Sequence, residues 1–268
     1  AKQGFEYWSK LSLNKRSSWM KKLRKAILEK ENNLRLAIIS EMGKTFEGSY
    51  EDIEALSNAL DWYPRAMKSY CDEHITDKEG THNHKMIHKP AGVVVAYLAW
   101  NFPLLNLAFK LGPALASGCS IIIKPSEISP LSAYILGEIL YDINFPKGVV
   151  NILCGPTEHV AMVLTRSTIP SVLTMIGSTA TGMKIISEST TSIKKLGMEL
   201  GGNAPFIIFD DADLSKAIDI GIALKFGNCG QICVAANRFF VHEKIYDDFI
   251  KSFVKRSSDC LLYTSPSP

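Results

Sequence analysis

The sequence predicts an α/β fold built on a doubly wound parallel sheet. From Pro90 onward, short β-branched runs alternate with stretches of helical apolar spacing, the pattern of strand–helix–strand units. The first third of the chain reads as helices. Hydrophobic residues make up 46% of the 268 positions and charged residues 21%, so a packed core is expected. The formal charge of +3 is small and spread along the chain, which argues against a nucleic-acid surface. Apolar runs such as Val93-Val94-Val95 are far too short to span a bilayer. Ala1 to Lys10 is polar and aromatic and does not read as a signal peptide. The 6 cysteines show no paired C-x-x-C spacing, so free thiols in a reducing, cytoplasmic compartment are expected.

In order along the chain, Trp19, Leu23 and Ile27, then Leu34, Ile38 and Met42, predict two helices, the second stopped by Gly43. Ile53, Leu56, Leu60 and Tyr63 predict a third, broken or kinked at Pro64. The polar, His- and Thr-rich stretch 71–89 reads as a hairpin or arm. Strands are expected at Val93–Tyr97, Ile121–Ile123, Val149–Leu153, Val172–Ile176 and Lys195–Glu199, with helices over Leu131–Leu140 and Val160–Leu164 between them. A second domain starts near residue 200, with strand Phe206–Phe209, a helix capped by Asp213 and running to about Lys225, strand Phe239–Val241 and helix Ile245–Val254. Residues 260–268 carry two prolines and no periodicity, and read as a non-native tail.

Parallel sheets bind ligands beyond the carboxyl ends of their strands, so the residues following each run carry the functional reading. Trp100-Asn101-Phe102-Pro103 follows the first strand. Asn101 is either a turn residue or an amide able to donate to a developing oxyanion. Lys124-Pro125-Ser126-Glu127 follows the second, where a lysine and a carboxylate can grip ribose hydroxyls. Gly177-Ser178-Thr179-Ala180-Thr181-Gly182 follows the fourth and opens a helix whose N–H groups can approach a pyrophosphate, although it is not a G-x-G-x-x-G string. Glu199 closes the fifth and is either a solvated loop carboxylate or a general base. Asn228-Cys229-Gly230-Gln231-Ile232-Cys233 places two cysteines in a small-residue loop, each a structural thiol or an exposed nucleophile. Cys71, Cys119 and Cys154 read as buried structural thiols, and Cys260 falls in the tail. None of the 6 histidines stands in a catalytic string, and no spacing suggests a metal site.

Taken together and in this order, the five strings resemble the aldehyde dehydrogenase superfamily over roughly residues 4 to 257. Within it, Leu200-Gly201-Gly202-Asn203-Ala204-Pro205-Phe206 and Phe209-Asp210-Asp211-Ala212-Asp213-Leu214 are most similar to succinate-semialdehyde dehydrogenases. The resemblance implies an aldehyde dehydrogenase-like fold: a Rossmann-type parallel-sheet cofactor domain over 1–199, with 71–89 as an oligomerisation arm, and the start of a second α/β catalytic domain over 200–259. It implies Cys233 as nucleophile, selected over Cys229, with Glu199 as general base and Asn101 in the oxyanion hole. It implies an NAD site (NADP also being accommodated) formed by Trp100, Lys124, Ser126, Glu127, Gly155, Gly177, Ser178, Thr181, Leu200 and Gly201. A small aldehyde is the implied substrate and a homo-oligomer the implied assembly, with no nucleic-acid or membrane partner.

Three departures bear on that expectation. Ala99 stands where the family usually has proline. Phe109 and Gly227 stand where succinate-semialdehyde dehydrogenases usually carry the arginines that hold the substrate carboxylate. The family's chain also continues well past this one, so the sequence reads as truncated at its C-terminus and at its N-terminus, and as having little activity by itself. Rival readings are a catalytically silent fragment that at most binds nucleotide, and a cofactor-independent thiol esterase.

Overall fold

A computed structural model describes residues 1–70 and 72–258. Cys71, Cys260 and the expected tail at 260–268 lie outside the described residues.

Four helices open the chain: α1 (Lys2–Trp8), α2 (Leu13–Glu29), α3 (Glu31–Met42) and α4 (Phe46–Ala66). Local chemistry marks their ends. Ser12 accepts from the Lys15 N–H at the start of α2, and Thr45 from the Gly48 N–H at the start of α4. Gly43 ends α3 in the left-handed region at φ 65°, where a side chain would be strained. The sequence reading did not contain α1. That helix is held by tertiary contact: Trp8 is fully buried and its indole donates to the Leu115 carbonyl at 2.9 Å. The helix is not broken at Pro64. Helix α4 runs through it to Ala66 and passes into a 3-10 turn, Met67–Ser69. Pro64 lies so near the C-terminus that the missing N–H costs one bond in the last turn.

The polar stretch forms an antiparallel hairpin, β1 (Glu73–Thr76) with β2 (Asn83–Met86), in which every residue is exposed. The main sheet follows: β3 (Val93–Tyr97), β4 (Ser120–Lys124), β5 (Val150–Ile152), β6 (Pro170–Ile176) and β7 (Lys195–Glu199). All its pairings are parallel, in the order β5-β4-β3-β6-β7. Between the strands run α5 (Pro103–Ser117), α6 (Leu131–Asp142), α7 (Thr157–Arg166) and α8 (Thr179–Glu188).

The central strand shows why the sheet is doubly wound. Val94 and Ala96 join a core with Leu104, Leu107 and Leu111 of α5 and the buried faces of α2 and α4. Val95 and Tyr97 point the other way, into a second core with Leu173, Met175, Ala161 of α7 and Ile185 of α8. Both faces are covered, which is why β3 reads as a continuous apolar run. Edge strand β7 differs: all its residues are exposed except half-buried Met198.

Beyond residue 203 a smaller unit begins. Strands β8 (Ala204–Ile208) and β9 (Ala236–Val241) pair in parallel, joined through α9 (Leu214–Phe226) and followed by α10 (Tyr246–Ser258). Asp213 caps α9 as expected, accepting from the Lys216 N–H at 3.1 Å. The unit is held by Phe206, Phe239, Phe249 and Phe253 around Ile208 and Ile218. Among the described residues no helix is long and apolar enough to cross a membrane.

Candidate active site

The chain passes from β3 to β4 and β5 on one side, then returns to place β6 on the other. The loops after β3 and β6 therefore part in opposite directions, opening a crevice at the carboxyl ends of the strands. Every string singled out between residues 100 and 201 lies at that edge.

On the β4–β5 side, Lys124 is only 5% exposed although it ends its strand. Its ammonium donates to the Pro125 carbonyl at 3.4 Å and to Glu127 Oε1 at 3.3 Å. The Thr157 hydroxyl donates to the same Oε1 at 2.6 Å. The Thr157 hydroxyl, with Lys124 adding to it, holds the Glu127 carboxyl below the usual carboxylate range. Ser126 serves the turn, its hydroxyl accepting from the Ile128 N–H at 3.4 Å. The Trp100 carbonyl accepts from the Ser129 hydroxyl at 3.2 Å, which ties the loops after β3 and β4 together.

On the β6 side, Ser178 caps α8, accepting from the Thr181 N–H at 3.2 Å with the two hydroxyls 2.9 Å apart. The first bond within α8 runs from the Gly182 N–H to the Ser178 carbonyl, so the N–H groups of Thr179 and Ala180 precede it and face outward for an anion. A Cβ at Gly182 would come within 2.8 Å of Leu200 Cδ2, so α8 packs directly on the loop after β7. Gly177 donates to the Glu199 carbonyl at 3.0 Å, joining the loops after β6 and β7. A dinucleotide fits this donor set: a lysine–carboxylate pair for a ribose diol at one end and a helix N-terminus for phosphate at the other.

The third cluster joins the two parts of the chain. Asn101 Nδ2 donates to the Gln231 carbonyl at 2.8 Å, and Asn228 Nδ2 donates to the Asn101 carbonyl at 3.2 Å. Asn106 Nδ2 donates to Asn101 Oδ1 at 3.2 Å, which fixes the Asn101 amide with its NH2 toward the cysteine loop. That loop turns through three consecutive left-handed residues, Asn228, Cys229 and Gly230, at φ 48°, 56° and 76°. Cys229 and Cys233 are both exposed. A Cβ at Gly202 would lie 3.2 Å from the Cys233 carbonyl, so the glycines after Glu199 abut the Cys233 backbone. Cys119 is buried as expected, whereas Cys154 is half-buried, beside the Tyr134 hydroxyl at the open end of β5.

Four contributors escaped the sequence reading: Thr157, described above against Glu127, and three more. Asn106 is one. Lys110 is another: it is buried on α5, burial lowers its pKa, and the nearby charge of Glu199 pulls it back up. A lone lysine within the apolar run Leu104–Leu115 was the signal available for it. The third is Asp52, fully buried on α4, which accepts from Lys44 Nζ at 2.6 Å and from the Leu104 and Leu105 N–H groups at 2.9 Å. It thus anchors the N-terminus of α5, immediately after Asn101, while Lys44 Nζ sits 3.6 Å from the centre of the Phe102 ring. Asp52→Ala leaves a buried ammonium, a buried N–H and a half-buried N–H without their acceptor. We expect it to lower stability by about 3–5 kcal/mol in urea unfolding. A loss under about 1 kcal/mol would show that the pair does not anchor the helix.

The sequence profile of the aldehyde dehydrogenase family matches residues 1–262. The chain belongs to the aldehyde dehydrogenase family. It is 37% identical over 251 residues to a mitochondrial succinate-semialdehyde dehydrogenase of Oryza sativa subsp. japonica, covering 94% of this chain and 48% of that protein. It is 34% identical over 249 residues to an NADP(+) succinate-semialdehyde dehydrogenase of Escherichia coli K12, covering 93% of this chain and 52% of that protein. Among solved structures, a betaine aldehyde dehydrogenase of Staphylococcus aureus in complex with NAD+ superposes with a TM-score of 0.90 at 31% identity, covering 97% of this chain and 53% of that one. The chain thus spans about half the length of these aldehyde dehydrogenases.

Proposed function

We propose that this chain carries the cofactor-binding half and the nucleophile loop of an NAD-dependent aldehyde dehydrogenase. The observation that carries the proposal is the bond from Asn101 Nδ2 to the Gln231 carbonyl, which puts an amide donor and the Cys233 loop on one hydrogen-bonded unit. In this reading the Cys233 thiolate attacks the aldehyde carbon. The Asn101 amide and the Cys233 backbone N–H stabilise the oxyanion of the resulting thiohemiacetal. The nicotinamide, when bound, supplies the hydride acceptor that converts this adduct to a thioester. Glu199 takes a proton from water to hydrolyse the thioester, and Lys110 lies where it can hold the Glu199 charge. Lys124 and Glu127 hold the adenosine ribose, Gly155 and Trp100 line the approach, and the turn from Gly177 to Thr181 with Leu200 and Gly201 flanks the phosphates. We place the protein in a reducing, cytoplasmic compartment, where a thiolate nucleophile survives. The exposed hairpin is its arm for pairing with further copies.

Two specificities follow. Glu127 accepts from a ribose diol and repels a 2′-phosphate, so NAD is preferred over NADP. Phe109 and Gly227 offer no cation to a distal carboxylate, so uncharged aldehydes serve at least as well as succinate semialdehyde. The test uses the chain joined to the C-terminal half of a relative, comparing kcat/KM for both cofactors and for succinate semialdehyde against a neutral aldehyde of equal length. Preference for NADP, or strong selectivity for the charged aldehyde, would overturn the corresponding assignment. Turnover of an ester without nicotinamide, and no oxidation with it, would favour the thiol esterase.

A further inference from the structure

We propose that Thr157 is a positioning residue that sets cofactor preference, by clamping one oxygen of Glu127 and leaving the other to face the ribose. The proposal rests on the reading above that this edge holds a nicotinamide dinucleotide. Glu127 Oε1 takes two side-chain bonds, 2.6 Å from Thr157 Oγ1 and 3.3 Å from Lys124 Nζ, and the Thr157 backbone N–H also bonds the carboxylate. The carboxylate is therefore fixed from two strands at once, Lys124 ending β4 and Thr157 opening α7 just beyond β5. Neither side-chain bond goes to Oε2, which keeps lone pairs to accept from a ribose hydroxyl.

The clamp is built into the backbone. Gly155 has φ 144°, a conformation side chains rarely adopt, and a Cβ there would come within 2.8 Å of Val160 Cγ2. Pro156 follows at φ −53° and sets the entry to α7. Together they present the Thr157 hydroxyl to Glu127 from a rigid turn. The consequence reaches Lys124, whose ammonium is nearly buried and has two acceptors, the Pro125 carbonyl and Glu127 Oε1. While Thr157 holds the carboxylate, the Lys124 ammonium stays paired with it and a 2′-phosphate meets a negative charge. If the carboxylate swings outward, the ammonium loses one acceptor and is left to pair with that phosphate.

The test titrates the 268-residue chain with NAD+ and with NADP+ by calorimetry, comparing wild type with Thr157→Val, Thr157→Ser and Glu127→Gln. A hydrogen bond to a charged group typically makes about a tenfold difference in affinity. We expect Thr157→Val to weaken NAD+ about tenfold and move the NADP+/NAD+ affinity ratio toward NADP+. Thr157→Ser, which keeps the hydroxyl, should stay within about threefold of wild type. NMR titration supplies a readout that altered packing alone does not move: the Glu127 pKa should rise in Thr157→Val and not in Thr157→Ser. If Glu127→Gln shifts the ratio and Thr157→Val leaves both ratio and pKa unchanged, the clamp is refuted while the cofactor site stands. If wild type binds neither nucleotide, the site reading fails and the clamp with it.

Discussion

Expressed as it stands, the 268-residue chain is expected to bind nucleotide yet oxidise aldehyde at least about a thousandfold more slowly than the same chain joined to the C-terminal half of a relative. Asn101, Glu199 and Cys233 are all present, so the expected deficit comes from what surrounds them. A catalytic cluster loses about a hundredfold for a misplacement near 1 Å, and the cysteine loop here is held from one side only. Asn101 and Asn228 tie it to the cofactor half, and Gly202 abuts it, but Cys233, Val234 and Gln231 are exposed. The unit that carries the loop has a core of three fully enclosed side chains, Ile208, Ile218 and Phe249. Ile207, Phe209, Phe240 and Val254 remain exposed around it, and β7 is an open edge, features that favour aggregation over a precise site. The measurement is aldehyde-dependent NADH formation by both proteins at equal concentration, with NAD+ binding followed in parallel. Equal rates would show that the cluster needs no further support.

How far the sequence already disclosed this arrangement depends on the range of the forces involved. Strands β3 and β4 were legible because burial on both faces leaves near-continuous β-branched runs, and the expected limits of all five strands differ from the observed ones by two residues at most. The Asp213 cap was legible because it acts over three residues. Helix α1 was not: it is seven residues long, carries Gly4, and forms because Trp8 docks into a core built more than a hundred residues later. Its Gly4 lies so close to Gly148 that a Cβ would overlap the carbonyl, a constraint no local pattern announces. The candidate site divides the same way. Asn101, Lys124, Glu127, Ser178 and Glu199 stand in short strings at the ends of strands, and Cys233 in a small-residue loop after α9. Asp52, Asn106, Lys110 and Thr157 act through partners on other elements. Asp52 reads as an ordinary helix carboxylate until α5 is laid against α4, and Thr157 as an ordinary helix start until β4 and β5 are paired. Edge strand β7 was read as one more apolar strand, and four of its five residues are exposed.

Replacing Cys233 by serine in the completed protein is expected to lower kcat by about a thousandfold or more, while Cys229→Ser retains activity within about threefold. Both thiols are exposed and four residues apart, so accessibility does not choose between them. Backbone and neighbours do. Cys229 sits inside the left-handed turn at φ 56°, between Asn228 and Gly230, where its main chain serves the bend. Cys233 follows the turn, two residues after the Gln231 carbonyl that Asn101 grips, and its own carbonyl lies against Gly202, three residues from Glu199. In the proposed reading, an aldehyde bound to Cys233 would have an amide donor on one flank and the loop of a carboxylate on the other. Serine at 233 keeps the shape but needs far more help to become an anion at neutral pH, so the attack itself is lost. Nucleotide binding should be unchanged, because the cofactor contacts belong to other elements. Steady-state kinetics with the first-turnover burst of NADH separates the cases: Cys229→Ser keeps the burst, and Cys233→Ser abolishes burst and turnover together. Alkylation mapped by mass spectrometry should place the thiol whose modification tracks inactivation at 233. If Cys229→Ser abolishes turnover and Cys233→Ser spares it, the nucleophile is Cys229 and the geometry assigned to the loop is wrong.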